Sequence, residues 1–219
     1  MMDRRISDLY AITGESADTS LLVDQVDAAL RGGARVVQYR NKNGSSRLRA
    51  DQAGRLAELV RNAGATFIVN DSVELAAHAG ADGVHLGRED GEVERAREQL
   101  GPGALIGVSC YNELDRALSA AQAGADYVAF GSFFASTTKP EAVKASIGLL
   151  RQAKPMLRIP IVAIGGITAL NCAPLIAAGA NALAITSALF NADDIEAAAI
   201  ALCKAIRHTQ VFDSVSTPE

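Results

Sequence analysis

Residues 122–132, QAGADYVAFGS, contain the most informative fold signal of this sequence. A Gly-Ala pair stands just before a short apolar run, and the run ends on Gly and Ser. Glycine suits the position after a helix end, because the backbone there turns left-handed and a side chain would be strained. A short run that is apolar nearly throughout is typical of a strand covered on both faces. The stretch therefore predicts a helix end followed by a buried strand.

The same junction occurs five times along the chain. The other four copies are RGGARVVQYR (31–40), NAGATFIVND (62–71), HAGADGVHLG (78–87) and AAGANALAITS (177–187). An alanine-rich segment of helical period precedes each copy. The glycines predicted to follow a helix end are Gly33, Gly64, Gly80, Gly124 and Gly179. Repetition of this junction indicates that the fold is built from a repeated helix–strand unit.

Three further apolar runs, DLYAIT, LIGVSC and IPIVAIGG, complete a set of eight strands. The strands are predicted to begin near Leu9, Val36, Thr66, Gly83, Leu105, Tyr127, Ile161 and Ala182. Helices are predicted at 20–32, 47–63, 72–79, 92–100, 112–123, 141–153, 169–178 and 191–207. Eightfold alternation in 219 residues favours an α/β fold, a single (β/α)8 TIM barrel. A doubly wound open sheet is the alternative, but its GxGxxG is absent after the first strand.

One domain over residues 1–219 is expected, with an ordered core at about 8–207 and a flexible tail at 208–219. Net charge is only −4 and 21% of residues are charged, which argues against a nucleic-acid surface. The three cysteines show no CxxC spacing, so neither a zinc site nor a disulfide framework is predicted. No apolar run approaches the length of a membrane span. We expect a soluble, cytoplasmic protein, and the sequence leaves a homodimer open.

Charged and amide side chains follow the second, third and fourth strands. In a barrel of this kind, function lies at the carboxyl ends of the strands. Asp71 and Asp90 follow adjacent strands and can share one Mg2+, which is commonly held by one or two carboxylates and by phosphate oxygens. Gln38 and Arg40 share one strand parity, and Lys42 comes just after them. Two cations beside a dicarboxylate metal site suit a pyrophosphate.

Two other interpretations of these charges remain open. The rim charges, together with Glu89, would also suit a surface salt-bridge network, and Asp71 would suit the cap of the following helix. His85 is interpreted as packed or hydrogen-bonded rather than catalytic. Cys110 has no evident histidine partner, so a thiol nucleophile is not predicted.

A second anion site is predicted on the other side of the rim. Gly165 and Gly166 follow the seventh strand, and Thr186 and Ser187 follow the eighth. The loops after these two strands are the usual phosphate site of such barrels. A tight turn would also account for the glycine pair. Lys139, after the sixth strand, is placed to reach in from across the rim.

Taken together, the strand-end motifs resemble the thiamine phosphate synthase family over about residues 8–205. The motifs, in chain order, are QYRNK, VND, HLGRED, GVS, TTK, AIGGI and ITS. The loop GSFFAS departs from the family, because it lacks two prolines and has Ser136 for a threonine. The first strand's AITGES also lacks the family's usual aspartate.

The resemblance implies an enzyme that joins hydroxymethylpyrimidine pyrophosphate to thiazole phosphate, giving thiamine phosphate and pyrophosphate. It implies a dissociative reaction in which pyrophosphate leaves and the thiazole nitrogen attacks a pyrimidine carbocation. Residues implied for the pyrimidine pyrophosphate are Gln38, Arg40, Lys42, Asn70, Ser109 and Lys139, with Arg40, Lys42, Ser109 and Lys139 carrying catalysis. Those implied for the thiazole phosphate are Ser136, Thr137, Thr138, Gly166, Thr186 and Ser187, and those for Mg2+ are Asp71 and Asp90. The alternatives are a thiazole tautomerase of the same superfamily and a non-catalytic barrel that binds a phosphorylated ligand.

Overall fold

The computed structural model of the chain describes residues 5–135 and 143–215, with side chains up to residue 209. Eight parallel strands form a closed barrel in chain order, and β8 pairs with β1. The strands are β1 Asp8–Ile12, β2 Val36–Tyr39, β3 Thr66–Asn70, β4 Gly83–Leu86, β5 Leu105–Tyr111, β6 Tyr127–Gly131, β7 Ile161–Ile164 and β8 Ala182–Ile185. The helices are α1 Thr19–Arg31, α2 Ser46–Asn62, α3 Val73–Ala79, α4 Val93–Leu100, α5 Leu114–Gln122, α6 Ile147–Met156, α7 Ala173–Ala177, α8 Ser187–Phe190 and α9 Ile195–Val215. The predicted barrel is confirmed.

The glycine junctions explain why the strand positions are so regular. All five predicted glycines have positive φ angles, between 62° and 109°. At each junction the chain leaves a helix, turns at the glycine and enters the next strand within a few residues. Every predicted strand start is confirmed to within one residue, since only β1 begins one residue early, at Asp8.

Several predicted helix bounds were wrong, because single polar side chains set them. Helix α6 begins at Ile147 rather than at 141, and the Ser146 hydroxyl caps it by accepting from the Leu149 N–H. Helix α7 begins at Ala173 rather than at 169, after a turn closed by Asn171. The short α8 was not predicted. Helix α9 begins at Ile195 rather than at 191 and continues to Val215, into the segment predicted to lie outside the fold.

Two apolar clusters form the core. The larger lies between the strands and the surrounding helices. The smaller consists almost entirely of strand side chains at alternate positions, and it fills the barrel interior. Tyr10 and Tyr127 are its largest members, with 1% and 0% of their surface exposed. Interior positions nearer the carboxyl ends of the strands carry polar side chains. The smaller apolar cluster therefore lies beneath a polar rim.

Gly107 leaves the space that Tyr127 occupies in the barrel interior. A Cβ atom at Gly107 would lie 2.0 Å from Cζ of Tyr127. We expect Gly107→Ala to lower the free energy of unfolding by about 2 kcal/mol or more, the scale of overpacking a core, as measured in urea. Gly54→Ala is the matched control, because Gly54 lies in α2 with nothing within 4 Å of the added methyl. Its expected effect is a small gain of helix stability. An unchanged stability of Gly107→Ala would contradict this packing.

The three cysteines are free and buried. Burial raises the pKa of the Cys110 thiol to about 12. No helix in the described part of the chain is long and apolar enough to cross a membrane.

Candidate active site

The carboxyl ends of β2 and β3 bring two amide side chains into contact. Nε2 of Gln38 donates to Oδ1 of Asn70 at 2.8 Å. Gln38 is buried, with 3% of its surface exposed, and lies on the parity that faces the barrel interior. The predicted inward orientation of Gln38 is therefore present in the structure. The pair forms a fixed polar surface beneath the rim.

Lys42, Asp71 and Asp90 meet at the same end of the barrel, after β2, β3 and β4. Nζ of Lys42 lies 2.8 Å from Oδ2 of Asp71. The carboxyl of Asp90 lies close enough to that of Asp71 for each to shift the pKa of the other, and its Oδ2 accepts from the Gly87 N–H at 2.7 Å. Three residues that lie up to 48 positions apart in the chain thus form one charged cluster.

The backbone of Asp71 adopts a left-handed conformation, with φ of 64°. Its N–H donates to the carbonyl of His85 at 2.9 Å, which ties β3 to β4. The interpretation of Asp71 as the cap of the next helix is wrong. That cap is Ser72, whose Oγ accepts from the Leu75 N–H at 3.2 Å. Because Ser72 does the capping, the side chain of Asp71 is directed toward Lys42 and Asp90.

The two carboxyl groups differ in their affinity for a proton. Burial acts to raise the pKa of Asp71, but the hydrogen bond and charge of Lys42 outweigh it, so the pKa of Asp71 falls below its usual value. Burial and the neighbouring Asp71 raise the pKa of Asp90. Two ionised carboxyl groups this close repel each other, and a divalent cation between them would relieve that repulsion.

This donor set fits Mg2+. Within residues 5–135 and the described part that follows, no group of three or more His, Cys, Asp or Glu side chains forms a metal cluster. Sites of that kind suit zinc, whereas Mg2+ keeps several waters and takes only one or two carboxylates together with substrate phosphates. Asp71 and Asp90 would supply those two carboxylates.

Arg40 is held at the rim by the loop after β1. Its side-chain Nη1 lies 3.2 Å from Oε1 of Glu15. Its backbone N–H donates to Oγ1 of Thr13 at 2.9 Å. Glu15 also accepts from the amide of Asn43. The sequence did not single out Glu15, which gives Arg40 a carboxylate partner from the loop after the neighbouring strand β1. A phosphate that binds Arg40 would take the place of this partner.

Tyr39 and Asn41, which alternate with Gln38, Arg40 and Lys42 in QYRNK, point away from the barrel interior and contact α2. The Tyr39 hydroxyl donates to Oε1 of Gln52 at 2.8 Å, and the Asn41 amide donates to the same oxygen at 3.1 Å. Nε2 of Gln52 donates to the carbonyl of Ser16 at 3.1 Å. Gln52 is fully buried. It was missed in the sequence, although a glutamine on the apolar face of a helix was a usable signal.

We expect Gln52→Leu to destabilise the protein strongly. The change leaves the Tyr39 hydroxyl and the Asn41 amide without their shared acceptor, and a buried donor without a partner costs about 1–3 kcal/mol. Urea unfolding at pH 7 would measure the loss. Gln122→Leu is the control, because Gln122 is exposed at the end of α5 and should change the free energy of unfolding by less than about 0.5 kcal/mol. Equal stability of the two variants would contradict the role of Gln52.

Ser109 is joined to a buried chain of aromatic side chains. Oγ of Ser109 lies 2.9 Å from Nε2 of His85, whose Nδ1 lies 3.1 Å from the Tyr127 hydroxyl. The Tyr127 hydroxyl lies 2.9 Å from that of Tyr10. Burial lowers the pKa of His85 to about 4, so the ring is neutral near pH 7. The interpretation of His85 as a hydrogen-bonded residue is confirmed, whereas its tyrosine partners were missed.

The far side of the rim is built on β7 and β8. Gly166 and Thr186 each lie two residues past the paired positions Ile164 and Ala184, so the two strand ends are neighbours. Gly166 has φ of 61°, and a Cβ there would lie 2.2 Å from the carbonyl oxygen of Ala135. Close packing against the loop after β6 therefore requires this glycine, a reason that the sequence did not reveal. Thr186 precedes α8, and Ser187 begins it.

Four of the predicted site residues lie outside the described residues. They are Ser136, Thr137, Thr138 and Lys139. The described segment that leads to them, residues 132–135, packs on the end of β7, where the Phe134 N–H donates to the carbonyl of Gly165 at 3.0 Å. The loop after β6 therefore starts beside the far side of the rim.

Comparison with known proteins shows the family to which this chain belongs. The model of the family described as thiamine monophosphate synthase matches residues 9–189. The thiamine-phosphate synthase of Aromatoleum aromaticum is 53% identical over 201 residues, which cover 92% of this chain and 97% of that protein. The thiamine-phosphate synthase of Thiobacillus denitrificans is 54% identical over 194 residues, 89% of this chain and 92% of that protein. The solved thiamine phosphate pyrophosphorylase from Pyrococcus furiosus has a TM-score of 0.84 at 36% identity, covering 94% of this chain and 98% of that one. This chain belongs to the thiamine monophosphate synthase family.

Proposed function

We propose that this chain is a thiamine phosphate synthase, a transferase that works in the cytoplasm on two small phosphorylated substrates. It joins hydroxymethylpyrimidine pyrophosphate to thiazole phosphate and releases pyrophosphate. The observation that carries the proposal is the contact of Lys42 with Asp71 and of Asp71 with Asp90 at neighbouring strand ends. Such a cluster suits a metal-bound pyrophosphate. The names of the relatives support the same activity.

The pyrophosphate group binds over the ends of β2, β3 and β4. Asp71 and Asp90 would hold Mg2+, which supplies positive charge to the oxygens of the leaving group. Arg40 and Lys42 add two fixed cations at the same end of the barrel. Arg40 exchanges Glu15 for a phosphate oxygen when the substrate binds. Lys139 is a further cation for this group on the strength of the family resemblance alone.

The pyrimidine lies deeper, toward the polar layer of the interior. Gln38 and Asn70 bind it from β2 and β3, and Ser109 binds it from β5. The hydrogen bond between Gln38 and Asn70 fixes both amides before the substrate arrives. This preorganisation reduces the entropy cost of orienting the reacting carbon.

Bond breaking then proceeds without a general base from the described rim. His85 is neutral, buried and hydrogen-bonded through both ring nitrogens. Pyrophosphate leaves from the pyrimidine, and the thiazole nitrogen attacks the resulting carbocation. The chain contributes charge neutralisation at the leaving group and the alignment of the second substrate.

The phosphate of the thiazole binds at the far side of the rim. Gly166, Thr186 and Ser187 offer backbone and hydroxyl groups at the ends of β7 and β8. The family resemblance adds Ser136, Thr137 and Thr138 from the loop after β6. Two separate anion sites keep the two substrates apart until pyrophosphate departs.

A coupled assay tests the proposal. Purified protein is incubated with both phosphorylated substrates, and thiamine phosphate and pyrophosphate are measured with Mg2+, with excess EDTA, and with Mg2+ restored. We expect equimolar products only when both substrates and Mg2+ are present. Metal-independent conversion between thiazole tautomers, without coupling, would favour a tautomerase instead. Binding of the substrates without any turnover would favour a non-catalytic barrel.

A further inference from the structure

We propose that Tyr127 and His85 are positioning residues that make Ser109 a hydrogen-bond donor toward an acceptor atom of the pyrimidine substrate. The inference rests on the proposed function, since it takes the pyrimidine pyrophosphate as the ligand of Ser109. It adds a direction to each hydrogen bond in the chain that runs from Tyr10 to Ser109. It therefore says which kind of ligand atom Ser109 can recognise.

The four side chains cross the barrel interior from β1 to β5. Their contacts are 2.9 Å between the two tyrosine hydroxyls, 3.1 Å from Tyr127 to Nδ1 of His85 and 2.9 Å from Nε2 of His85 to Ser109. His85 pairs in register with Gly107, and Gly107 pairs with Tyr127. Because Gly107 has no side chain, the rings of His85 and Tyr127 stack across it, with centroids 5.5 Å apart.

Each buried hydroxyl has one proton to donate, and this requirement determines which group donates in each hydrogen bond between Tyr10 and Ser109. Tyr10 is 1% exposed, and within the described residues its hydroxyl has Tyr127 as its hydrogen-bond partner. A buried hydroxyl must donate its proton to avoid the cost of an unsatisfied donor. Tyr10 therefore donates to Tyr127, and the proton of Tyr127 goes to Nδ1 of His85. The neutral ring then carries its proton on Nε2 and donates to Oγ of Ser109.

The opposite direction leaves a buried donor without an acceptor. If Ser109 donated to Nε2, the proton of His85 would lie on Nδ1 and point to Tyr127. Tyr127 would then donate to Tyr10, and the proton of Tyr10 would have no acceptor within the described interior. In the first direction both tyrosine hydroxyls and His85 donate to an acceptor. Only the hydroxyl proton of Ser109 has no acceptor within this series of hydrogen bonds.

The remaining proton of Ser109 points to the rim. Ser109 is only partly buried, and its carbonyl accepts from Nε of Arg116 at 2.8 Å, which fixes its backbone. With His85 donating to Oγ, the hydroxyl can offer its own proton to a ligand. Ser109 then recognises an acceptor, such as an unprotonated ring nitrogen or a pyrophosphate oxygen, and disfavours a donor at the same place.

The tautomer of His85 tests the direction without any activity. The ring 15N signals of labelled histidine are recorded for the free protein at pH 7, and His85→Gln identifies the signals of His85 among the three histidines. We expect the form protonated on Nε2, both in the wild type and in Tyr10→Phe, in which Tyr127 keeps its proton for Nδ1. The form protonated on Nδ1 in the wild type would overturn the inference.

Kinetics test whether Tyr127 acts through Ser109. We expect Ser109→Ala and Tyr127→Phe each to raise KM for the pyrimidine substrate by about 5- to 10-fold, the scale of one neutral hydrogen bond, with little change in KM for the thiazole substrate. In the Ser109→Ala background, Tyr127→Phe should add less than about twofold. Tyr10→Phe is the matched control. Its KM for the pyrimidine substrate should stay within about twofold of the wild-type value, because Tyr127 can still donate to Nδ1 of His85.

A full additional effect of Tyr127→Phe in the Ser109→Ala background would show a merely structural role and overturn the inference. If the wild-type protein couples no substrates, the proposed function fails and the pyrimidine ligand of Ser109 fails with it. The tautomer is read in either case, so the two failures are distinguishable.

Discussion

Replacement of Asp71 or Asp90 by alanine is expected to lower the turnover of the coupling reaction by at least about 10²-fold, the scale of losing one main electrostatic stabiliser. Each change removes one of the two carboxylates that would hold Mg2+. Asp71→Ala also removes the 2.8 Å partner of Lys42. Steady-state kinetics at saturating Mg2+ and both substrates would measure the loss.

The left-handed backbone of Asp71 calls for a second variant at this position. Alanine at φ of 64° adds backbone strain, whereas asparagine tolerates that conformation and keeps the shape of the side chain. Asp71→Asn should therefore retain stability and still lose turnover. Asp51→Asn is the control, because Asp51 lies on the exposed face of α2 and pairs with Arg55. Wild-type turnover in Asp71→Asn would rule out Asp71 as a metal ligand.

Arg40→Ala is expected to lower kcat/KM for the pyrimidine pyrophosphate by about 10²-fold, since hydrogen bonds to charged groups contribute about 1.5–3 kcal/mol each. The main effect should fall on this substrate and spare the thiazole phosphate, which binds at β7 and β8. Arg40→Lys should recover only part of the loss, because lysine cannot form the two parallel hydrogen bonds of a guanidinium.

Arg55→Ala is the matched control for Arg40. Arg55 is exposed on α2 and pairs with Asp51, so its loss should leave kcat/KM unchanged. Inhibition by added pyrophosphate gives a second measurement, and Arg40→Ala should weaken it in parallel with kcat/KM. Unaltered inhibition would show that Arg40 pairs with Glu15 and does not bind pyrophosphate.

The barrel was predictable because its decisive signal is local. Each Gly-Ala junction specifies a helix end and a strand start within ten residues, as in the stretch before Tyr127. Helix starts were less predictable, because one side chain sets each of them and neighbours compete for the role. At the start of α3, Asp71 and Ser72 are both good caps, and only the structure shows that Ser72 takes the position.

The charged part of the site was predictable for a related reason. Strand parity and strand ends place Gln38 and Asp71 at one rim without any knowledge of register. The supporting residues were not predictable in this way. Glu15, Gln52 and Tyr127 act on residues 25, 13 and 42 positions away, through contacts that depend on how loops, helices and strands pack. Periodicity in one segment carries no information on such pairings.

Pyrophosphate binding is the most direct test of the central claim, that the ends of β2, β3 and β4 bind pyrophosphate together with Mg2+. Equilibrium dialysis with labelled pyrophosphate would compare the wild type and Asp71→Asn, each with Mg2+ and with EDTA. We expect Mg2+ to strengthen binding to the wild type by at least about tenfold and to have no such effect on Asp71→Asn. Equal binding with and without Mg2+, or the same Mg2+ effect in both proteins, would contradict it.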